Sequence, residues 1–183
     1  MTTSHAVGLA ALLTLTIAPV FAADLATTTF RDHVDSEGNI SRPTDVRSNW
    51  VHLGSWVVDD AEAPGAGFHD VYTQPEAARA YRESGEFADG TVLVKEIRGI
   101  ESGEKTTGPA LWAGEPRVWF VMVRDGQGRF DGPHWGQGWG WALFTADEPE
   151  VNVSESFENT CMGCHTPAQQ TDWVFVEGYP TLR

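Results

Sequence analysis

Hydrophobic and polar positions alternate over several short stretches of this chain, and the alternation predicts strands more often than helices. Trp50, Val51, Leu53, Trp56, Val57 and Val58 crowd aromatic and β-branched residues into a first strand over 50–58. After a loop carrying Pro64, Gly65 and Gly67, residues Phe68 to Tyr72 read as a short second strand. A third, Thr91 to Ile100, is opened by Gly90 and rich in Val, Leu and Ile, and Gly103 to Pro109 reads as the connection after it. Val118 to Val123 is apolar on both faces, as a central strand should be. Trp139, Trp141 and Leu143 alternate with Gly140, Ala142 and Phe144, so a fifth strand has one face of large residues, fit for a packed core or a cofactor wall.

Helical signals are fewer. Thr73 and Glu76 read as a capping box, Pro75 fits the first turn, and Gly85 stops a helix running through Ala77, Ala78, Ala80 and Tyr81. Residues 24–44 are polar without a clear period and read as irregular. From Val151 to His165 the spacing suits a second helix, with Asn152 or Ser154 as caps, and a short apolar tail follows from Asp172 to Leu182. The expected fold is α+β, mainly β: an antiparallel sheet of about five strands with two or more helices.

Composition adds location and partners. Met1 to Ala23 lacks Asp, Glu, Lys and Arg, and its apolar run from Val7 to Ile17 ends at Pro19. That run is short of the roughly 20 residues needed to span a bilayer, and Val20-Phe21-Ala22 suits a signal peptidase. Residues 1–22 are therefore expected to be a cleaved export signal, leaving 23–183 as a single periplasmic domain with no membrane span. The net charge of −14 disfavours nucleic acid and anionic lipid. It suits a small neutral or cationic substrate or a basic redox partner, although the simpler reading is that it keeps an exported protein soluble.

The candidate chemistry lies in Cys161-Met162-Gly163-Cys164-His165, which holds the only two cysteines of the chain. A structural zinc site wants four ligands, and no second cysteine pair exists. A redox dithiol has no use for the adjoining imidazole. Two thiols at this spacing can add across the vinyl groups of one haem while the histidine takes the iron, so covalent haem c is expected on the C-terminal helix, bound through Cys161 and Cys164, with His165 as metal ligand. No methionine follows His165, and Met122 lies in an apolar strand. His33, His52, His69 and His134 are the remaining candidates for a sixth ligand. A five-coordinate iron, or one with water opposite His165, is the leading expectation, and an open position means chemistry or gas binding.

Gly67-Phe68-His69-Asp70-Val71-Tyr72, then Tyr81 to Glu96 with its Gly90-Thr91-Val92-Leu93-Val94-Lys95-Glu96 strand, and finally the haem motif with Asp172, Val174-Phe175 and Tyr179-Pro180 resemble the cytochrome P-460 family. The resemblance runs from about Trp50 to Leu182. It implies a mostly β homodimer with one haem per subunit. It further implies that Lys95 matches the lysine bonded to a porphyrin meso carbon in hydroxylamine-oxidising members, and that His69 stands where those members carry a basic residue. Glu96 and Asp125 are other candidate bases. Relatives without the lysine bond, the β-type cytochromes c-prime, bind nitric oxide or carbon monoxide in a phenylalanine-lined pocket, for which Phe68, Phe87, Phe120 and Phe144 are candidates. An electron carrier with His134 or Met122 as sixth ligand is the remaining alternative.

Overall fold

The computed structural model describes residues 20–183, with side chains from Leu25 onward. The expected signal segment 1–22 lies outside the described residues except for the backbone of 20–22. Six strands form one antiparallel sheet in the order β1-β2-β3-β4-β6-β5: β1 Val51–Val58, β2 Gly67–Thr73, β3 Val92–Lys105, β4 Gly108–Arg124, β5 Trp135–Gly136 and β6 Trp139–Thr145. The mainly β, antiparallel expectation holds, with the two-residue β5 added at the edge. Among the described residues no helix is long and apolar enough to cross a membrane.

The centre of the sheet is covered on both faces, so its central strands are apolar on both sides. One face carries Val92, Val94, Val121, Val123, Ala142 and Phe144, covered by Val34, Ile40 and Val46 from the N-terminal segment. The other carries Leu53, Val71, Leu93, Met122, Trp139 and Trp141, covered by Phe157, Cys161, Trp173, Val174, Tyr179 and Leu182 from the C-terminal segment. That segment comes so close that a Cβ on Gly54 would lie 2.1 Å from the Gly178 carbonyl oxygen.

Three local expectations are corrected. Residues 24–44 are not wholly irregular, because helix α1 spans Val20–His33. Of its described side chains it buries only Leu25, Ala26 and Thr29, and its run Thr27-Thr28-Thr29 has weak helix propensity, so periodicity is faint. What holds it is tertiary: Thr29 Oγ1 donates to the Gly90 carbonyl at 2.6 Å. A four-residue helix α2, Val46–Asn49, follows it. The Thr73 capping box does not form. Helix α3, Pro75–Ser84, starts after Gln74, while Thr73 ends β2 and donates to the Val92 carbonyl at 2.7 Å. The Gly103–Pro109 stretch does hold the connection, but only Thr106 and Thr107 turn, and the rest is the tip of a long β3–β4 hairpin whose arm is largely exposed and so shows no apolar alternation.

The C-terminal helix is present but begins later than Val151. A π turn covers Phe157–Met162, α4 covers Gly163–His165, and a 3₁₀ turn covers Thr166–Thr171. Its cap is Ser156, whose Oγ accepts from the Asn159 amide at 3.0 Å, rather than Asn152 or Ser154. Asn152 instead accepts the Leu143 amide at 3.0 Å and pins the preceding extended segment against β6.

Candidate haem site

Strand register arranges the C-terminal-facing side of the sheet in rows. Leu93, Met122 and Trp141 are cross-strand partners in one row. The next holds Gly54, Val71, Lys95, Phe120 and Leu143. The third holds Trp56, His69, Ile97, Val118 and Thr145. Lys95 and His69 therefore share one face on diagonal positions of neighbouring strands, a Cα separation of about 7–8 Å. The lower row is sealed by the C-terminal segment, whereas Trp56, Lys95, Val118, Phe120, Leu143 and Thr145 above it remain partly open.

The haem motif docks at the boundary between sealed and open rows. The His165 ring meets Trp141 edge-on at 4.8 Å and lies 5.6 Å from the Phe175 ring. Its Nδ1–H donates to the Trp173 carbonyl at 2.7 Å, which leaves the Nε2 lone pair free to bind a metal. Burial lowers the His165 pKa from its ordinary value, the Trp173 carbonyl opposes this, and the Lys95 charge adds to it. Cys161 is buried and Cys164 exposed, both as free thiols. Burial, helped by Cys164 and opposed by Lys95, pushes the Cys161 thiol up to about 11.

Lys95 reaches this group. Its side chain is partly exposed, and its largely buried amino group lies 4.3 Å from the centroid of the Phe120 ring. Burial lowers its pKa, and the two thiols, Cys164 before Cys161, oppose the shift. No carboxylate among the described residues pairs with it. Its neighbours Asp89 and Glu96 are committed elsewhere: Asp89 to Arg129 at 2.6 Å, and Glu96 to Arg47 at 2.7 Å. Glu96 belongs to the opposite face, where it also accepts the Trp119 indole N–H at 3.0 Å. Asp125 is held in its turn by Arg129 at 2.9 Å and the Phe130 amide at 3.0 Å. Neither carboxylate expected as an alternative base is presented to the site.

His69 is buried and stacked on Trp56 at 5.0 Å. Its Nε2 lies 2.6 Å from the Gly65 carbonyl, which can only accept, so Nε2 carries the proton and Nδ1 is the basic nitrogen. Nδ1 has no hydrogen-bond partner among the described residues. Burial lowers the His69 pKa; the Gly65 bond and Asp70 oppose that, while Lys95 reinforces it. The other histidines are placed elsewhere. His52 bonds Ser55 at 2.8 Å, His134 Nε2 bonds the Ser154 carbonyl at 3.0 Å, and His33 sits against Trp50 at 6.2 Å. Met122 is packed in the sealed row. Of the four phenylalanines considered for a pocket lining, Phe120 stands beside Lys95, Phe144 lies in the opposite core and Phe87 packs on Trp139 at 5.5 Å. Phe68 pairs with Arg98, two positions from the Asp70–Glu96 pair and so on that opposite face as well.

Trp56, the Gly65 carbonyl and the Trp173 carbonyl are parts of the site that sequence reasoning missed. Backbone acceptors leave no residue-type signal, and Trp56 is legible only once the β1–β2 register is known.

The donor set fits a haem: two thiols and an imidazole with a free Nε2 on one turn, against a partly open apolar face with a largely buried amine. Such an arrangement on an antiparallel sheet defines a β-rich haem cytochrome, unlike the helical bundles that also carry this motif late in the chain. Residues 43–176 match the Cytochrome P460 family, and the chain belongs to that family, whose members hold haem. A search among curated proteins finds no match.

Proposed function

We propose that the chain is a periplasmic mono-haem c-type cytochrome that oxidises hydroxylamine. The single observation carrying this reading is the largely buried amino group of Lys95, unpaired with any carboxylate among the described residues, beside Cys161, Cys164 and His165. Cys161 and Cys164 would hold haem c through thioethers, His165 Nε2 would take the iron, and Lys95 Nζ would bond a meso carbon. That bond replaces one N–H and one C–H hydrogen, with dioxygen or peroxide accepting the two electrons during maturation. Burial favours the neutral amine, the form with a lone pair to make the bond. The group, when bound, supplies an iron that accepts electrons from the substrate nitrogen and passes them outward.

The residues of the chain supply the rest. His165 sits by the row of Trp141 and His69 two rows higher on the same face, so the unpartnered His69 Nδ1 would serve as the base. It takes the protons that hydroxylamine loses as its electrons leave. Trp56 and Ile97 keep the base dry, and the Gly65 carbonyl keeps its tautomer fixed. Electrons pass to a basic carrier protein suited to the acidic surface, and the working unit is a homodimer. Hydroxylamine-dependent reduction of an added one-electron acceptor should be present in the haem-loaded protein and absent in Lys95→Met. Equal turnover in both refutes the role of Lys95.

The second reading, capture of nitric oxide or carbon monoxide without the lysine bond, is favoured by the apolar Ile97, Val118 and Phe120 around the open position. Ferrous protein that binds either gas tightly, yet releases no electrons from hydroxylamine, would select it.

A further inference from the structure

We propose that Arg124 and Asp172 form a clamp that positions the proximal histidine by fixing the turn whose carbonyl holds His165 Nδ1. The inference rests on reading His165 as the iron ligand. Asp172 and Trp173 are successive non-glycine residues in the left-handed region, at φ 56° and 66°. Aspartate tolerates that conformation and tryptophan does not, so the turn persists only because its surroundings hold it. Inside the turn, the Trp173 amide donates to the Ala168 carbonyl at 2.8 Å and Thr171 Oγ1 to the Val174 carbonyl at 2.7 Å. The Trp173 ring is buried against Phe157 at 5.6 Å.

Besides the packing of Trp173 and Val174 on the sheet, an ion pair ties the turn to it. Arg124, the last residue of β4, lies 3.5 Å from the Asp172 carboxylate. The guanidinium is itself fixed, donating to the Gly138 carbonyl at 2.9 Å and lying 5.4 Å over the Trp139 ring. Gly138 makes room for it, since a Cβ there would stand 2.3 Å from Arg124 Nη1. The Trp139 indole N–H faces Asp172 without closing a hydrogen bond of ordinary geometry. A continuous path therefore runs from β4 through Arg124, Asp172 and the Trp173 carbonyl to the proximal imidazole.

The Asp172 side chain is 37% exposed and the pair lines a cavity of about 440 Å³ with Tyr81 and Gln170. An ion pair this open adds little to stability, so its effect is on position. A carbonyl held at 2.7 Å from Nδ1 fixes the ring rotation and makes the imidazole a stronger donor, which favours ferric iron.

The test uses haem-loaded Asp172→Asn, which keeps tolerance of the left-handed backbone, and Arg124→Met. Both should load haem and melt near the parent. In both, the iron–histidine stretch in ferrous resonance Raman should fall in frequency. The reduction equilibrium should move about threefold to tenfold towards ferrous, up to about 59 mV for one electron. Arg124→Lys, which keeps the charge, should recover most of both shifts. Parent-like stretch and potential in the two clamp variants overturn the proposal. Should Asp172→Asn fail to accumulate, the Arg124 pair alone decides it. A parent without any iron–imidazole stretch overturns the reading of His165 and the clamp together, whereas a parent band that the variants leave unmoved overturns the clamp alone.

Discussion

Adding one methyl group at Gly54 and one at Gly163 should move stability in opposite directions. At Gly54 the new Cβ would lie 2.1 Å from the Gly178 carbonyl oxygen and 3.1 Å from Pro180 Cδ. A backbone carbonyl and a proline ring cannot rotate away, so either β1 bulges or the C-terminal tail lifts off the sheet. Overpacking of this kind costs about 1–3 kcal/mol. At about 2–4 °C per kcal/mol for a domain of this size, Gly54→Ala should melt about 2–12 °C lower. Gly163 is helical, at φ −58° and ψ −41°, with nothing within 4 Å of its added Cβ. There alanine restricts the unfolded chain and gains about 0.5–1 kcal/mol, raising the melting temperature by about 1–4 °C. Thermal unfolding followed by circular dichroism reads both. Shifts of the same sign, or Gly54→Ala within 1 °C of the parent, would refute the seating of the tail on β1.

Glu96→Gln should cost about 1–3 kcal/mol in chemical denaturation, because a carboxylate buried between Arg47, Arg98 and the Trp119 indole loses its charge. The haem spectrum should not change, since Glu96 is on the other face; a shifted Soret band would contradict the register. Acid should weaken the fold early. Burial holds His69 and His33 below their ordinary 6.5, so the unfolded chain binds more protons than the folded one as pH falls past that value. Stability is complete above about pH 7 and declines below 6.5 towards the lower folded values. Melting temperature should therefore drop between pH 8 and pH 5, and less steeply in His69→Gln; a flat profile would contradict it. His69→Leu should lower hydroxylamine turnover at least about tenfold and flatten its acid limb, with haem loading intact, and an unchanged pH–rate profile would remove His69 as the base.

Sequence pattern exposed those parts of the fold in which one face decides residue choice. The strands around Trp56, Val71, Val94, Val121 and Trp141 were legible because their apolar spacing follows burial. Helix α1 was not, since it is held by bonds from Thr29 to Gly90 and Gln74 across the chain rather than by the helix propensity of its threonines. The hairpin arm was hidden because exposure on both sides erases the period of two. Cys161, Cys164 and His165 announce themselves by spacing, but that Lys95 shares their face rather than that of Glu96 depends on register, which alternation in an all-apolar strand leaves open. The tautomer of His69 and the orientation of His165 are set by backbone carbonyls, which no residue type reveals.

Tryptic mapping of the haem-loaded protein tests the central claim most directly. Trypsin leaves the haem motif on the peptide Phe130–Arg183 and normally cuts after Arg82, Lys95 and Arg98. With Lys95 bonded to the porphyrin, cleavage at Lys95 is blocked. Glu83–Arg98 should then elute with Phe130–Arg183 as a single haem-absorbing species, two hydrogens lighter than the sum of peptides and haem. Lys95→Arg should release it. A free Glu83–Lys95 peptide beside a haem carried by Phe130–Arg183 alone would contradict the lysine bond, and haem lost from both peptides would contradict the covalent site itself.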